Sequence, residues 1–156
     1  HTATSFNWEL FVIAGDVNTS RDLNGAALTA DSIFACPDGL WFDQNGRLWI
    51  QTDIGESAQN RGDLEPMGNN AMLCANPHTG EIRRFLTGPM GQEITGVVMT
   101  PDMRTMFVGV QHPGATTTSV AFAAGEINSQ FPDYDGTVPR SATLVITRED
   151  GGIIGA

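Results

Sequence analysis

A strand, a polar turn and a second strand occur twice in this sequence, and this repeat constrains the fold more than any other feature. The first copy covers residues 39–50 and the second covers residues 96–108. Each copy begins with Gly and turns at a polar segment, which contains Asn45-Gly46 in the first copy and Pro101-Asp102 in the second. Asn-Gly pairs favour tight hairpins, while Pro and Asp favour turns through a fixed φ and through side-chain hydrogen bonds to the backbone. The repeat therefore predicts antiparallel hairpins that follow one another along the chain.

Short runs rich in β-branched and aromatic residues extend this pattern, whereas helical periodicity is almost absent. The runs cover residues 8–14, 39–43, 47–52, 71–76, 81–86, 96–100, 105–111 and 142–148. Three longer polar stretches, 18–31, 55–69 and 113–139, are predicted to be insertion loops, with a helical turn near residues 23–30.

The spacing of the repeat, about 57 residues, fits a propeller blade of roughly 40 to 50 residues enlarged by an insertion loop. We therefore predict an all-β chain of antiparallel β-propeller blades, in which residues 1–156 form one partial propeller domain. Blade one would cover about residues 39–86 and blade two about 96–156, with the tail 152–156 as a fourth strand and residues 8–14 as a strand of a neighbouring blade.

Two blades are too few to close a propeller, which typically has about 4 to 8. We therefore expect a fragment of a larger propeller. Sheet faces that normally pack on the next blade would be exposed, and large apolar patches are uncommon on soluble monomers. On these grounds we predict that the chain forms a homo-oligomer, most simply a dimer with two-fold symmetry.

Charge and hydropathy exclude several kinds of partner. The 18 acidic residues outnumber the 8 basic ones and no basic stripe is present, so a nucleic-acid partner is not expected. No apolar run approaches the roughly 18 residues of a membrane helix, so no membrane partner is expected, and no signal peptide is recognisable at the start. Cys36 and Cys74 lack zinc-ligand spacing, and whether they form a disulfide stays open.

Several segments resemble the PhoX-type alkaline phosphatases. The blade motif of that family is matched by PDGLWFD at 37–43 and GRLWIQTD at 46–53, and a second blade motif by EITG at 93–96, TPD at 100–102 and QHPG at 111–114. The opening 6–16 and the segment 139–146 also match. EITG together with QHPG is the more specific signal, because lactonase-type propellers share the PDG motif. Many family members carry Asn where this chain has Gly39, which removes a potential oxygen ligand.

The resemblance implies the C-terminal part of an exported bacterial enzyme, usually translocated by the twin-arginine route. Such enzymes hydrolyse phosphate monoesters at a calcium and iron cluster in the channel of the propeller. A periplasmic or extracellular location is implied as well. Because several blades contribute ligands in this family, the fragment alone is expected to be inactive, and whether it binds metal by itself stays open.

Two acidic residues precede equivalent strands of the two blades and are the candidate metal ligands. Residues just before the innermost strands are expected at the mouth of the channel, which places Glu93 and Asp38 on the same axial side. Calcium prefers carboxylate oxygens of this kind. Glu93 is the stronger candidate, because an Asp between Pro and Gly is also a common turn residue.

His112 and Arg140 are the candidate catalytic residues. An imidazole at position 112 would reach phosphate or a metal, and a guanidinium at position 140 would bind phosphate oxygens in a bidentate manner. The alternatives are a structural histidine at a strand end and a surface ion pair. Asp53 is interpreted mainly as a loop cap, and Cys36 as a buried small hydrophobic residue in preference to an iron ligand.

Two other kinds of function stay open at this stage. One is a calcium-dependent, lactonase-like propeller hydrolase, which the QHPG segment at 111–114 disfavours. The other is a propeller module without catalytic activity that serves in binding or assembly.

Overall fold

The computed structural model describes residues 2–156, which form two antiparallel sheets with little helix. The strands are β1 (Pro37–Phe42), β2 (Leu48–Thr52), β3 (Ala71–Ala75), β4 (Ile82–Thr87), β5 (Glu93–Met99), β6 (Thr105–Gln111) and β7 (Ala142–Thr147). A 3-10 helix (Gly62–Met67) lies between β2 and β3, and a short helix α1 (Ser119–Ala123) lies between β6 and β7. The strand orders are β1-β2-β3-β4 and β5-β6-β7. The prediction of an all-β chain with two antiparallel blades is confirmed.

The two hairpins of the sequence repeat turn by the same hydrogen bonds. In the first, the Asp43 N–H donates to the Arg47 carbonyl at 3.0 Å, and Asp43 Oδ1 accepts from the Arg47 N–H at 3.0 Å. In the second, the Thr100 N–H donates to the Thr105 carbonyl at 2.9 Å, and Thr100 Oγ1 accepts from the Thr105 N–H at 3.1 Å. Gly46 completes the first turn at φ +76°, where a side chain would be strained. The two copies of the sequence repeat therefore also share the same turn structure.

The main core lies between the two sheets and is centred on Trp49, which is fully buried. Its ring meets Phe85 edge to face at 5.0 Å, and its Nε1–H donates to Asp43 Oδ2 at 3.0 Å. The buried residues around it include Met72 from the first sheet and Ile94, Met106, Val108 and Val110 from the second. Each fully buried side chain of this size contributes about 1.5 to 3 kcal/mol, so this core holds the two blades together.

The opposite face of the first sheet is covered by the N-terminal part of the chain. Phe11, Val12 and Ala14 pack against a cluster that contains Leu48 and Ile50. The prediction of a strand at residues 8–14 is wrong, since the structure has only an isolated bridge between Ile13 and Arg21 in this region. The segment crosses a sheet face and lies beside no strand edge, so it finds no ladder of hydrogen bonds.

Two further details of the prediction are wrong. The tail 152–156 adds no fourth strand to the second sheet; Ile154 is buried in the core and its N–H donates to the Met103 carbonyl at 3.0 Å. Residues 23–30 form turns without a helix, because Asp22 Oδ1 accepts from the N–H groups of Asn24 and Ala26. The short helix lies instead in the third insertion loop, where Thr118 caps its N-terminus. Within residues 2–156, no helix is long and apolar enough to cross a membrane.

The outer face of the second sheet carries a row of exposed apolar side chains. Val98, Phe107 and Val145 lie directly opposite one another on β5, β6 and β7. Their exposed fractions are 55%, 36% and 64%. An exposed apolar row of this kind is typical of a sheet face that packs against another layer of protein.

Asp43→Ala is expected to destabilise the chain by about 3 kcal/mol, because it removes a turn cap and leaves the buried indole N–H of Trp49 without an acceptor. Thr100→Ala is the matched control at the equivalent turn, where no buried donor is orphaned, and a loss of about 1 kcal/mol is expected. Urea unfolding followed by circular dichroism measures both values. Equal losses would show that the bond between Asp43 and Trp49 does not stabilise the core.

Candidate metal centre

One edge of the two sheets gathers the candidate site residues. β1 begins at Pro37, which pairs with Thr52 at the end of β2. β5 begins at Glu93, which pairs with Gln111 at the end of β6. Residues that flank these strand ends therefore meet at one edge of the molecule; they are Cys36, Asp38, Asp53, Glu93 and His112.

Glu93 lies at the centre of this edge, with only 14% of its side chain exposed. Its Oε2 accepts a hydrogen bond from Gln111 Nε2 at 2.8 Å and lies 3.7 Å from His112 Nε2. Burial raises the pKa of Glu93, the negative charges of Asp53 and Asp38 raise it further, and His112 opposes them. Asp38 and Asp53 therefore lie close enough to act on Glu93 through their charges.

His112 is held between two carboxylates in a strained backbone conformation. Its φ is +40°, and its backbone N–H donates to Ser141 Oγ at 3.0 Å. Nδ1 lies 3.2 Å from the Gly91 carbonyl oxygen and 3.7 Å from Glu56 Oε1. A carbonyl oxygen can only accept a hydrogen bond, so the tautomer that fits this contact has its proton on Nδ1.

This tautomer has a consequence for the other ring nitrogen. In the neutral imidazole, Nε2 would turn its lone pair toward the Glu93 carboxylate, and two acceptors would face each other. A proton on Nε2, or a cation bound by both groups, satisfies both of them. Strained residues such as His112 and Cys36, whose φ is +50°, are typical of functional sites.

The cysteines are both free thiols in the structure. Cys36 is exposed, so its interpretation as a buried hydrophobic residue is wrong; its carbonyl accepts from the Asp53 N–H at 2.9 Å, which places Cys36 at the edge of the sheet. Cys74 is partly buried, and burial raises the pKa of its thiol to about 11. Cys74 is therefore a neutral thiol near pH 7.

The space beside Gly39 is filled by the side chain of Gln51. A Cβ at position 39 would lie 2.5 Å from Gln51 Oε1, which is too close. Gln51 is buried, and its Nε2 donates to the Gly96 carbonyl at 3.3 Å, so it links β2 of the first blade to β5 of the second. A carboxamide oxygen is thus present beside position 39 although that residue has no side chain.

Arg140, the second candidate catalytic residue, forms its ion pair with a residue outside the group that meets at this edge. It forms an ion pair with Asp133 at 2.6 Å, and 61% of its side chain is exposed. The neighbouring residue, Ser141, is the one that contacts His112. A role for Arg140 in phosphate binding stays a prediction, as do the ligand roles of Glu93 and Asp38 and the catalytic role of His112.

Sequence reasoning missed several residues that belong to this edge. Glu56 lies in a stretch predicted as an insertion loop, and the buried carboxamides Gln59, Asn70 and Gln92 were not singled out. A Gln or Asn in a polar stretch gives no sequence signal that separates a buried amide from an exposed one. Among residues 2–156, no three or more His, Cys, Asp or Glu side chains are grouped so that they alone could hold a metal ion.

The raised pKa of Glu93 predicts a pH-dependent stability. The folded chain holds this proton more tightly than the unfolded chain, so the free energy of unfolding falls as the pH rises through the interval between the two pKa values. Glu93→Gln keeps an oxygen for Gln111 and removes the charge. Its stability relative to the wild type should therefore increase from acidic to neutral pH.

Urea unfolding at a series of pH values tests this, with Glu149→Gln as a control that removes one exposed negative charge. A wild-type advantage over Glu93→Gln that grows as the pH rises would contradict the prediction.

Comparisons with known proteins give the affiliation of the chain. The family model described as "Alkaline phosphatase PhoX" matches residues 1–114. The solved structure of Pseudomonas fluorescens PhoX in complex with vanadate, a transition state analogue, is 47% identical and superposes with a TM-score of 0.74. The match covers 94% of this chain and 24% of that one, so this chain spans about a quarter of its relative. No match was found among the curated proteins. The chain belongs to the PhoX alkaline phosphatase family.

Proposed function

We propose that this chain supplies part of the active site of a metal-dependent phosphatase that hydrolyses phosphate monoesters. Family membership supports this activity. The observation that carries it at the residue level is the placement of His112 Nε2 3.7 Å from Glu93 Oε2, with Nδ1 already engaged by the Gly91 carbonyl. A nitrogen and a carboxylate oxygen that face each other in this way form a donor pair for a cation.

The donor chemistry fits the metals that we propose, calcium and iron. Glu93, Asp38 and Asp53 offer hard carboxylate oxygens, which calcium prefers, and imidazole and thiolate groups suit iron. The described residues hold no complete metal-binding group, so the remaining ligands would come from other parts of a larger protein. When bound, the metals would polarise the phosphoryl oxygens and activate the nucleophile.

The residues of this chain would then have separate tasks. Glu93, with support from Asp38, would bind metal, and its limited exposure would keep water from competing for its oxygens. His112 would bind either metal or phosphate through Nε2. Arg140 would bind phosphate through its guanidinium, and a contact that uses Nη1 would require this nitrogen to exchange its partner Asp133, which lies 2.6 Å away.

We also propose that the parent protein is exported to the periplasm or beyond, as the family resemblance implies. The isolated chain is proposed to be inactive. Three carboxylates and an imidazole from one edge of two blades offer too few ligands for several metal ions.

A chimera tests the function. The matching segment of Pseudomonas fluorescens PhoX is replaced by residues 2–156 of this chain, and hydrolysis of p-nitrophenyl phosphate is measured with calcium and iron present. We expect the chimera to be active and the isolated chain to be inactive. In the chimera, Glu93→Gln should reduce kcat/KM by at least about 100-fold, because a metal ligand would be weakened.

Glu149→Gln in the same chimera is the control, since Glu149 is exposed and lies outside the site. A folded chimera in which Glu93→Gln is as active as Glu149→Gln would remove Glu93 from the metal site. A folded chimera without activity would contradict the proposal that this chain carries phosphatase residues.

We propose further that the isolated chain forms a two-fold dimer through the outer face of its second sheet. The row of Val98, Phe107 and Val145 is apolar, exposed and continuous across three strands. Burial of such a row against a second copy removes apolar surface from water, which favours association.

Val145→Glu is expected to convert this dimer to a monomer, because a charge would be buried within the contact. Val120→Glu is the matched control, since Val120 is 81% exposed on α1 and lies outside the sheet. Size-exclusion chromatography with light scattering gives the mass of each variant. A monomeric wild type, or a dimer that survives Val145→Glu, would contradict the proposed interface.

A further inference from the structure

A buried carboxamide joins the loop after β2 to the residues that precede β5. Gln59 is only 5% exposed. Its Oε1 accepts from the Gly91 N–H at 3.1 Å, and its Nε2 donates to the Gln92 carbonyl at 2.9 Å and to the Ile54 carbonyl at 3.1 Å. The Gln59 side chain therefore binds both the N–H of Gly91 and the carbonyl of Gln92, as the backbone of a neighbouring strand would.

Two further carboxamides reinforce this contact. Asn70 is fully buried; its Nδ2 donates to the Gln92 carbonyl at 2.8 Å, and its Oδ1 accepts from the Ile54 N–H at 2.6 Å. Gln92 is also fully buried, and its Nε2 donates to the Asn70 carbonyl at 2.9 Å. A Cβ on Gly88 would lie 2.3 Å from that nitrogen, so the Gln92 amide is packed without free space on this side. We call Gln59, Asn70 and Gln92 the carboxamide cluster.

The segment held by this cluster carries both central residues of the candidate site. Glu93 follows Gln92 directly, and the Gly91 carbonyl accepts a hydrogen bond from His112 Nδ1. The far side of the segment is fixed as well, since the Gly114 N–H donates to the Met90 carbonyl at 2.9 Å. A displacement of the Gly91-Gln92 backbone would therefore move Glu93 and release His112 together.

We propose that Gln59 is a positioning residue, which fixes the tautomer of His112 and the place of Glu93 through the Gly91-Gln92 backbone. The functional meaning of this role rests on the proposed metal site. The positioning itself is a property of the metal-free chain. Partners of this kind orient ligands, and their loss typically weakens metal binding by about 10- to 100-fold.

Gln59→Glu tests the proposal. The substitution keeps the size and the acceptor for the Gly91 N–H, but it turns a carboxylate toward the carbonyls of Gln92 and Ile54, which have no proton to donate. Gln44→Glu is the matched control, because it makes the same chemical change at an exposed turn. Long-range ¹H–¹⁵N spectra of His112, recorded at a pH where the imidazole is neutral, distinguish the two tautomers.

The wild type and Gln44→Glu are expected to show the tautomer protonated at Nδ1, and Gln59→Glu a mixture of both tautomers. A general loss of stability would not by itself change the tautomer in the folded molecules. A wild type protonated mainly at Nε2 would overturn the proposal, and so would a folded Gln59→Glu with the wild-type spectrum.

A second measurement needs no variant and applies even if Gln59→Glu fails to fold. The N–H groups of Gly91 and Gly136 both donate to a glutamine Oε1, at 3.1 and 3.2 Å, but the Gly136 contact is exposed. Amide hydrogen exchange at Gly91 should be at least about 100-fold slower, because it requires opening of the buried cluster. Similar exchange rates would show that the cluster does not hold the segment.

Calcium binding to the active chimera separates this inference from the proposed function. A changed His112 tautomer together with calcium affinity weakened about 10- to 100-fold in Gln59→Glu supports both. A changed tautomer in a chimera that needs no metal would leave the positioning intact and refute the metal site. An unchanged tautomer in a metal-dependent chimera would refute the positioning alone.

Discussion

The arrangement of the candidate site depends on the seam between the two sheets, and at one end of this seam the contacts are polar and buried. Asn70 and Gln92 are fully buried there, so their amide groups need partners inside the protein. The Asn70 amide bonds to the N–H and carbonyl of Ile54 and to the Gln92 carbonyl, and the Gln92 Nε2 donates to the Asn70 backbone carbonyl. Hydrogen bonds are directional, whereas the apolar contacts around Trp49 tolerate small shifts. The apolar core therefore contributes most of the free energy that holds the two blades together. The buried amides fix the position of one blade relative to the other.

This rigid seam allows negative charges to stand close together. Asp38 and Asp53 raise the pKa of Glu93 through their charges, which is unfavourable for the metal-free chain. In a mobile loop, the carboxylates would move apart and relieve the repulsion. Here β1, β2 and β5 fix the backbone that carries them, and the strained φ of Cys36 and His112 shows that the edge does not relax locally. A cation at this edge would replace the repulsion with attraction.

Periodicity and turn chemistry were sufficient to predict the strands, because each is marked by local signals. The Asn45-Gly46 turn and the Thr100-Pro101-Asp102 turn lie where the sequence predicted them. Residues 8–14 and 152–156 also have apolar composition, yet neither forms a ladder, since a strand needs a neighbouring edge that local sequence does not report. Likewise, Glu93 and His112 were identifiable from their motifs, whereas the role of Gln59 depends on contacts with residues more than thirty positions away.

The packing of Gln51 against Gly39 has a consequence for how such sequences diverge. A side chain at position 39 would occupy space that the Gln51 carboxamide already fills. An Asn at position 39 is therefore compatible only with a smaller or differently oriented residue at position 51. Shortening Gln51 alone would leave a void and remove the bond to Gly96. Neither a side chain at position 39 nor a shorter residue at position 51 is neutral by itself, so the two positions are expected to covary. The order in which they mutate decides which evolutionary paths remain open between the form with Gly and the form with Asn at position 39.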